Sequence, residues 1–200
     1  LSKLTKKKVV YNFRQNDLKN DGQGAPLTPI FHKMLAKKLN LKNATFINIG
    51  GIINQTSIFD DGVFQAHDLG PGMCLIDKWI RTKSKKKYDD KGNLARSGKV
   101  NQKIFDEAKR KWMFTANTKS RKSLDIKEME LYFIDSNFLK GLTLEDGAAT
   151  LTAFTIEILT EILPVILGSE QMYHRYILCG GGRKNNFLVK SIDRFVGGAE

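Results

Sequence analysis

The alternation of apolar and polar residues between 46 and 66 predicts two or three antiparallel strands. The stretches 46–49 and 52–58 are rich in Phe, Ile and Thr, and a pair of glycines separates them. A polar Asp-Asp-Gly turn then precedes another apolar stretch at 63–66. Short apolar stretches divided by turns that contain Gly and Asp are typical of β-hairpins.

A helix is expected to follow these strands directly. The apolar residues between Met73 and Ile80 recur at helical spacing, so Gly70-Pro71-Gly72 forms a strand-to-helix turn. We expect Asp68 at the end of the last strand. The N–H groups of the turn have no partner in the helix and are expected to face outward, an arrangement that suits phosphate.

The first part of the chain is expected to contain one strand and one helix. Residues 8–13 have the composition of a short strand, and residues 14–22 form a polar loop. A helix then begins with Thr28 as N-cap and Pro29 in the first turn. Helical periodicity ends near residue 42, where strand alternation starts, and we therefore place a boundary between two lobes there.

The remainder of the chain alternates between helices and a single strand. We expect an amphipathic helix at 101–112, a short helix within 117–131, and a buried helix from residue 143 that is kinked or ended near Pro164. Residues 88–98 contain a turn and a break of small residues. A strand at 176–179 then leads into three glycines and a last helix, for which Asn185 is the predicted N-cap.

Composition and charge narrow the class of protein. With 41% hydrophobic residues, the 200-residue chain can bury a globular core, and its formal net charge of +12 raises the question of an anionic partner. The basic clusters at 6–8, 83–87 and 109–111 are scattered and have no interleaved aromatic residues. A solvated Lys-rich surface is therefore favoured over a nucleic-acid interface, although the second interpretation stays open.

Cysteines, histidines and hydropathy suggest an intracellular protein that does not span a membrane. Cys74 and Cys179 are far apart, and neither they nor the three histidines show the spacing of a disulfide scaffold or a zinc site. A reducing cytoplasm and the absence of a protein-bound metal are expected. There is no run of 18 apolar residues and no signal-peptide pattern. Since the chain begins without Met, we expect it to be the middle of a longer protein.

Two glycine-containing loops are candidate ligand-binding segments. The loop at 22–27 either forms a tight turn needed for packing or lines a ligand site, because glycine serves both purposes. The three glycines Gly180, Gly181 and Gly182 either form a plain turn or allow a base or ribose to lie against the main chain.

The order of these motifs resembles that of the anhydro-N-acetylmuramic acid kinases. The motifs are GQGAPL at 22–27, NIGGIIN at 48–54, DLGPG at 68–72, YDDKGNLARSG at 88–98, KSLD at 122–125 and CGGGRKN at 179–185. Together they cover nearly the whole chain. The resemblance implies an α/β fold of the actin-like ATPase (ribonuclease H-like) type, with a mixed sheet flanked by helices. Residues 1–42 would be the C-terminal part of an N-terminal lobe, and residues 43–200 most of a C-terminal nucleotide-binding lobe.

The resemblance also implies an activity. The family uses ATP and Mg²⁺ to phosphorylate 1,6-anhydro-N-acetylmuramic acid at O6 while water opens the anhydro ring, in the cytoplasmic recycling of bacterial peptidoglycan. The partners would be ATP and an amino sugar, without nucleic acid or membrane, and a homodimer stays open.

Site roles follow from matching these motifs. Asp68 would be the general base, although an Asp that caps the following turn is the alternative interpretation. The N–H groups of Gly70 and Gly72 would hold phosphate oxygens, and Gly180, Gly181 and Gly182 would line the adenosine. On the sugar side we expect Gln23 and Arg14, whose guanidinium suits a lactyl carboxylate.

Three departures separate this chain from the family pattern. Met73 replaces an Asn, and Ile53 and Asp21 replace smaller residues. Met73 matters most, because a thioether cannot replace the hydrogen bonds of an amide. A noncatalytic nucleotide-binding protein on the same fold is therefore the alternative function. Without the missing lobe, we expect the 200-residue chain alone to be inactive and to self-associate through the apolar face of the helix that follows Thr28.

Overall fold

The centre of the molecule is a mixed four-stranded β-sheet. The computed structural model describes residues 1–118, 124–133, 140–167 and 175–195. The strands are β1 Ala44–Ile49, β2 Ile52–Ile58, β3 Phe64–Pro71 and β4 Arg175–Cys179, and their order in the sheet is β3-β2-β1-β4. β1, β2 and β3 are antiparallel neighbours, whereas β4 lies parallel to β1. The predicted hairpin strands and the late strand are thus confirmed.

The helices account for most of the rest of the described chain. They are α1 Ser2–Thr5, α2 Gln15–Lys19, α3 Pro29–Lys38, α4 Met73–Lys83, α5 Asn93–Ser97, α6 Gln102–Thr118, α7 Ile126–Phe133, α8 Leu144–Leu167 and α9 Asn186–Phe195. Short 3-10 turns at Asp90–Gly92 and Gly181–Lys184 precede α5 and α9. The predicted cap of α9 is confirmed, because the N–H of Leu188 donates to Asn185 Oδ1 at 3.0 Å.

Helices cover both faces of the sheet. Because side chains alternate along a strand, Ile47 and Ile49 of β1 face α8 and α9, where they meet Leu159 and Leu188. The opposite face of the sheet packs against α3 through a cluster that includes Phe46. This arrangement confirms the α/β class with a mixed sheet flanked by helices.

A third apolar cluster joins α4 to the helices that follow it. Trp79 of α4 is 3% exposed, and its indole N–H donates to the carbonyl of Leu144 at the start of α8. Gly147 lies against the same indole ring, so close that an added Cβ would overlap it. These contacts hold α4 against the start of α8.

Several local predictions are wrong. Residues 8–13 do not form a strand. Their side chains are mostly exposed, for example Tyr11 at 74%, and a strand composition stabilises a strand only where it packs on a neighbour. The polar loop at 14–22 contains α2, and the break of small residues at 95–98 contains most of α5. The kink or end of α8 expected near Pro164 stays a prediction, since the described part of this helix runs through Pro164 to Leu167.

The helix α3 has one buried and one exposed side. His32 stacks on Phe46 with ring centroids 4.7 Å apart, and its Nδ1 lies 2.9 Å from Thr56 Oγ1. Burial lowers the pKa of this histidine. On the other side, Phe31 and Met34 are more than 60% exposed. The predicted exposure of an apolar face is confirmed, and the lobe boundary near residue 42 stays a prediction.

Within the described ranges, no helix combines the length and the apolar character needed to cross a membrane.

Candidate active site

Two cavities meet at the turn between β1 and β2. The first, here called the Gly181 cavity, has a volume of about 550 Å³. The second, the Asp68 cavity, has a volume of about 730 Å³. Gly50 and Gly51 line both cavities, so a ligand that crosses this turn can reach from one to the other.

The turn at Gly50 and Gly51 also holds the start of α4. The Gly50 carbonyl accepts the N–H of Met73 at 2.9 Å, and the Gly51 carbonyl accepts the N–H groups of Gly72 at 2.9 Å and Cys74 at 3.2 Å. An added Cβ at Gly72 would lie 2.5 Å from the Gly50 carbonyl oxygen, which explains the need for glycine there.

These hydrogen bonds correct the expectation of free N–H groups in the strand-to-helix turn. The Gly72 N–H already has a partner, because the turn packs directly under the hairpin. Gly70 is buried against the side chains of Ile158 and Trp112. Phosphate binding by Gly70 and Gly72 stays a prediction, but the free donors assumed for it are absent at Gly72. Gly50 and Gly51 are the glycines that line both cavities.

Asp68 lies inside β3 and not at its end. It pairs with Asn54 of β2, and a register shift between Ile53 and Asn54 leaves Leu69 as an extra residue in β3. A bulge of this kind re-aims neighbouring side chains. Asp68 is half-buried and lines the Asp68 cavity, and its Oδ2 accepts the N–H of Leu124 at 2.9 Å.

The neighbouring histidine is not part of this cavity lining. His67 pairs with Gln55, is exposed, and as the adjacent strand residue belongs to the other face of the sheet. Its position beside Asp68 in the sequence therefore does not translate into a shared site.

Arg14 and Gln23 occupy different positions. Arg14 precedes α2 and lines the Asp68 cavity together with residues 25–28. The two segments are held together because Asp17 of α2 accepts the N–H of Gly24 at 2.6 Å. Gln23 is exposed and is not among the residues that line either cavity, so its role in substrate binding stays a prediction.

Asn48 and Asn54 were not predicted as site residues. They are paired across β1 and β2, and both line the Asp68 cavity. Asn54 Oδ1 is buried, and within the described part of the chain nothing donates a hydrogen bond to it. The two residues lie on either side of the glycine pair in the sequence, and antiparallel pairing across that turn brings them together.

The three consecutive glycines have different roles. Gly180 has a φ of +82°, and an added Cβ would collide with Asn48 Oδ1. Gly182 packs against Ile49, whereas an added Cβ at Gly181 would meet nothing within 4 Å. Gly181 and Gly182 line the Gly181 cavity. Gly180 therefore serves the turn, and the contact of a base or ribose with this segment stays a prediction.

Two carboxylates of the Gly181 cavity differ in their hydrogen bonds. Asp89 is 3% exposed, and its oxygens accept the N–H groups of Leu94 and Ala95 at 2.8 and 3.0 Å, which caps α5. Asp77 of α4 has no backbone donor of this kind among the residues that the structure describes. Burial raises the pKa of Asp77 to about 6, an effect that nearby Arg81 partly offsets.

The donor set fits Mg²⁺ only as a partner of nucleotide phosphates. Within the described residues, no group of three or more His, Cys, Asp or Glu side chains is placed to hold a metal ion. Mg²⁺ commonly keeps several waters and binds phosphate oxygens with one or two carboxylates. The residues present are therefore compatible with Mg²⁺ that enters on ATP.

Comparison with known proteins gives a consistent result. The family model for anhydro-N-acetylmuramic acid kinase matches residues 1–200. Curated relatives named anhydro-N-acetylmuramic acid kinase include one from Pelagibacter ubique, 44% identical over 96% of this chain and 51% of its own length. One from Methylobacterium nodulans is 35% identical over 91% of this chain and 46% of its own length, and one from Legionella pneumophila is 33% identical over 99% and 52%. The chain thus spans about half the length of the curated relatives it matches.

Proposed function

Because the chain belongs to the anhydro-N-acetylmuramic acid kinase family, we propose that its protein uses ATP to phosphorylate 1,6-anhydro-N-acetylmuramic acid at O6. In this reaction water opens the anhydro ring, as expected for an enzyme of peptidoglycan recycling. The family has the actin-like ATPase fold, and the mixed sheet flanked by helices agrees with it. The observation that carries the proposal is the junction of the Asp68 and Gly181 cavities at Gly50 and Gly51.

The two cavities match the two substrates in chemistry. The Gly181 cavity has an open main-chain surface at Gly181 and two lysines, Lys91 and Lys184, which suit a nucleoside and its phosphates. The lining of the Asp68 cavity includes Asp68, Arg14 and two asparagines, Asn48 and Asn54, residue types that suit a polar sugar acid. A triphosphate that crosses the Gly50–Gly51 turn would bring its γ-phosphate towards the sugar.

Asp68 acts as the general base in this proposal. It takes one proton from water while the water oxygen bonds to C1 of the sugar and the C1–O6 bond breaks. O6 then bonds to the γ-phosphorus as the bond between that phosphorus and the bridging oxygen breaks, which releases ADP. The products are N-acetylmuramic acid 6-phosphate and ADP, and the proton on Asp68 returns to solvent. When bound, Mg²⁺ would neutralise charge on the phosphates.

Two features of the chain support this role for Asp68. The N–H of Leu124 donates to Oδ2, and the adjacent bulge fixes the direction of the strand. The guanidinium of Arg14 can bind the lactyl carboxylate of the sugar and so orient C1 towards Asp68. Positioning is the main contribution of a protein to phosphoryl transfer.

A noncatalytic nucleotide-binding protein is the second candidate. Met73 lines the Gly181 cavity at the position where the family pattern has Asn. A thioether cannot donate a hydrogen bond to a phosphate or to a loop. A protein of this second kind would bind ATP without consuming it.

The test is an assay of full-length protein with ATP and 1,6-anhydro-N-acetylmuramic acid, followed by mass spectrometry of the sugar. The proposed reaction adds one water and one phosphoryl group to the sugar and releases one ADP for each product. Binding of ATP without ADP release would favour the noncatalytic candidate. A phosphorylated sugar that retains its anhydro ring would contradict the proposed coupling of hydrolysis and transfer.

A further inference from the structure

Asp77 is a carboxylate of the Gly181 cavity that the proposed mechanism does not use. It lies one helical turn after Met73 on α4. Its Oδ1 is buried, and the described residues offer it no hydrogen-bond donor. Its Oδ2 lies 4.0 Å from a guanidinium nitrogen of Arg81, which is too long for a hydrogen bond. Arg81 also reaches Glu130 of α7 at 3.8 Å.

This arrangement is unfavourable unless something else supplies a donor. A buried polar atom without a partner is uncommon in native proteins, and a charged one is costly. Asp89, in the same cavity, shows the usual solution, since two backbone N–H groups satisfy it. In the described ranges Asp77 has no comparable arrangement, and burial raises its pKa to about 6. The side chain as a whole is 27% exposed and lines the Gly181 cavity, so a donor bound in the cavity can reach the exposed part of this carboxylate.

We propose that Asp77 accepts a hydrogen bond from a ribose hydroxyl of the bound nucleotide and thereby makes the Gly181 cavity selective for ribonucleotides. This inference rests on the proposed function, because it requires ATP in the Gly181 cavity. Phosphate oxygens cannot be the partner, since they only accept hydrogen bonds and carry the same charge. Ribose hydroxyls donate, and carboxylates are suited to accept from them.

The position of Asp77 favours the ribose over the base. The backbone N–H of Met73, one turn earlier on α4, donates a hydrogen bond to the carbonyl of Gly50, in the turn where the triphosphate would cross. Gly181 and Asn185 also line the cavity and belong to the segment that leads into α9. The ribose of a nucleotide lies between its triphosphate and its base. Asp77 lies one helical turn beyond Met73, and we therefore expect it to contact the ribose.

The test compares four nucleotides with full-length wild-type protein and with Asp77→Asn and Asp90→Asn. The nucleotides are ATP, 2′-deoxyATP, 3′-deoxyATP and purine riboside triphosphate, which lacks the amino group of adenine. Wild type should prefer ATP over at least one deoxy analogue by about 10-fold, the usual effect of a hydrogen bond to a charged group. Asp77→Asn should lose this preference. Asp90→Asn removes an exposed carboxylate of the same cavity and should keep it.

A second measurement uses the wild type alone and does not depend on the folding of a variant. The ratio of ATP affinity to deoxyATP affinity should fall as the pH drops through about 6, because protonation weakens the acceptor. The triphosphates titrate alike, so their own protonation cancels in the ratio. The charged groups around Asp77 are Arg81 and Lys78 of its own helix, Glu130 of α7, Asp89 and Lys91 near the 3-10 turn, and Lys184 before α9.

Each contrary result has a separate meaning. If wild type binds all three ribose forms equally, or Asp77→Asn keeps the preference, the ribose contact is wrong while the kinase function stands. Asp77→Asn could instead change the preference for ATP over purine riboside triphosphate and leave the preference over the deoxy analogues unchanged. In that case Asp77 recognises the base, and the assignment to ribose is overturned. If wild type binds no ATP, the proposed function itself fails, and this inference fails with it.

Discussion

Replacing Asp77 with Asn should stabilise the folded protein near neutral pH. The side chain is 27% exposed, and burial raises its pKa from 3.8 to about 6. At ~1.4 kcal/mol per pKa unit, the carboxylate destabilises the fold by at most about 3 kcal/mol. This figure already includes the attraction of Arg81, because the pKa of about 6 is the net result of burial and of that charge. Asn removes the charge, but burial of its amide still costs part of this free energy. We therefore expect a net gain in the free energy of unfolding of about 1–2 kcal/mol.

The pH dependence of this gain has a defined sign. The folded-state pKa of Asp77 lies above its unfolded value, so the folded state binds more protons between the two values. The penalty is absent below about 3.8, grows as the pH rises, and is complete above about 6. Asp77→Asn should thus match the wild type at pH 3.5 to 4 and exceed it at pH 7.

Thermal unfolding of full-length protein without nucleotide measures this effect. A domain of this size shifts its melting temperature by roughly 2–4 °C for each kcal/mol. Asp90→Asn serves as the matched control, since it removes an exposed carboxylate of the same cavity and should leave the melting temperature unchanged. An equal gain at pH 4 and pH 7, or a loss of stability at pH 7, would refute the reasoning, because either result would mean that burial does not destabilise the Asp77 carboxylate.

Four further predictions follow from the same geometry. Gly181→Val should remain folded, because an added Cβ meets open space, but should weaken ATP binding by about 10-fold or more in calorimetry; unchanged affinity would place the nucleotide elsewhere. Met73→Asn should increase the rate of ADP release, and a decrease would show that the methionine side chain supports catalysis better than an amide at this position. Glu at the exposed residues Phe31 and Met34 should reduce self-association of the 200-residue chain in sedimentation, whereas unchanged association would implicate another surface. ATP binding should depend far less on salt than binding of a DNA oligomer, and tight binding of DNA with a steep salt dependence would support a nucleic-acid partner.

The elements with strong local patterns could be predicted from the sequence. The hairpin around Gly50 and Gly51, the helix after Gly72 and the cap at Asn185 each rest on neighbouring residues, and all three are confirmed. The short helix α5 could not be predicted, because its first N–H groups are satisfied by the side chain of Asp89 and not by its own periodicity. The strand expected at 8–13 does not form, because the β-propensity of a segment does not show whether a neighbouring strand is there to pair with it.

The site was harder to predict than the fold. Asp68 was identified because a family motif contains it, but its backbone partner Leu124 lies 56 residues away, and no local pattern indicates that contact. The N–H of Gly72 was expected to be free, since the sequence does not show that the turn packs under the Gly51 carbonyl. Asp77 has the appearance of an ordinary polar position on an amphipathic helix. Only the burial of its oxygen without a donor distinguishes it.

The central claim is that Asp68 is the general base of a kinase whose substrates meet at the Gly50–Gly51 turn. The direct measurement is ADP release by full-length Asp68→Asn with 1,6-anhydro-N-acetylmuramic acid, alongside calorimetric ATP binding. His67→Asn, on the exposed face of the same strand, is the control for disturbance of β3. We predict that Asp68→Asn loses ~10²–10⁴-fold in turnover and keeps its ATP affinity. The control His67→Asn should keep its turnover. Turnover near that of the wild type in Asp68→Asn would contradict the account.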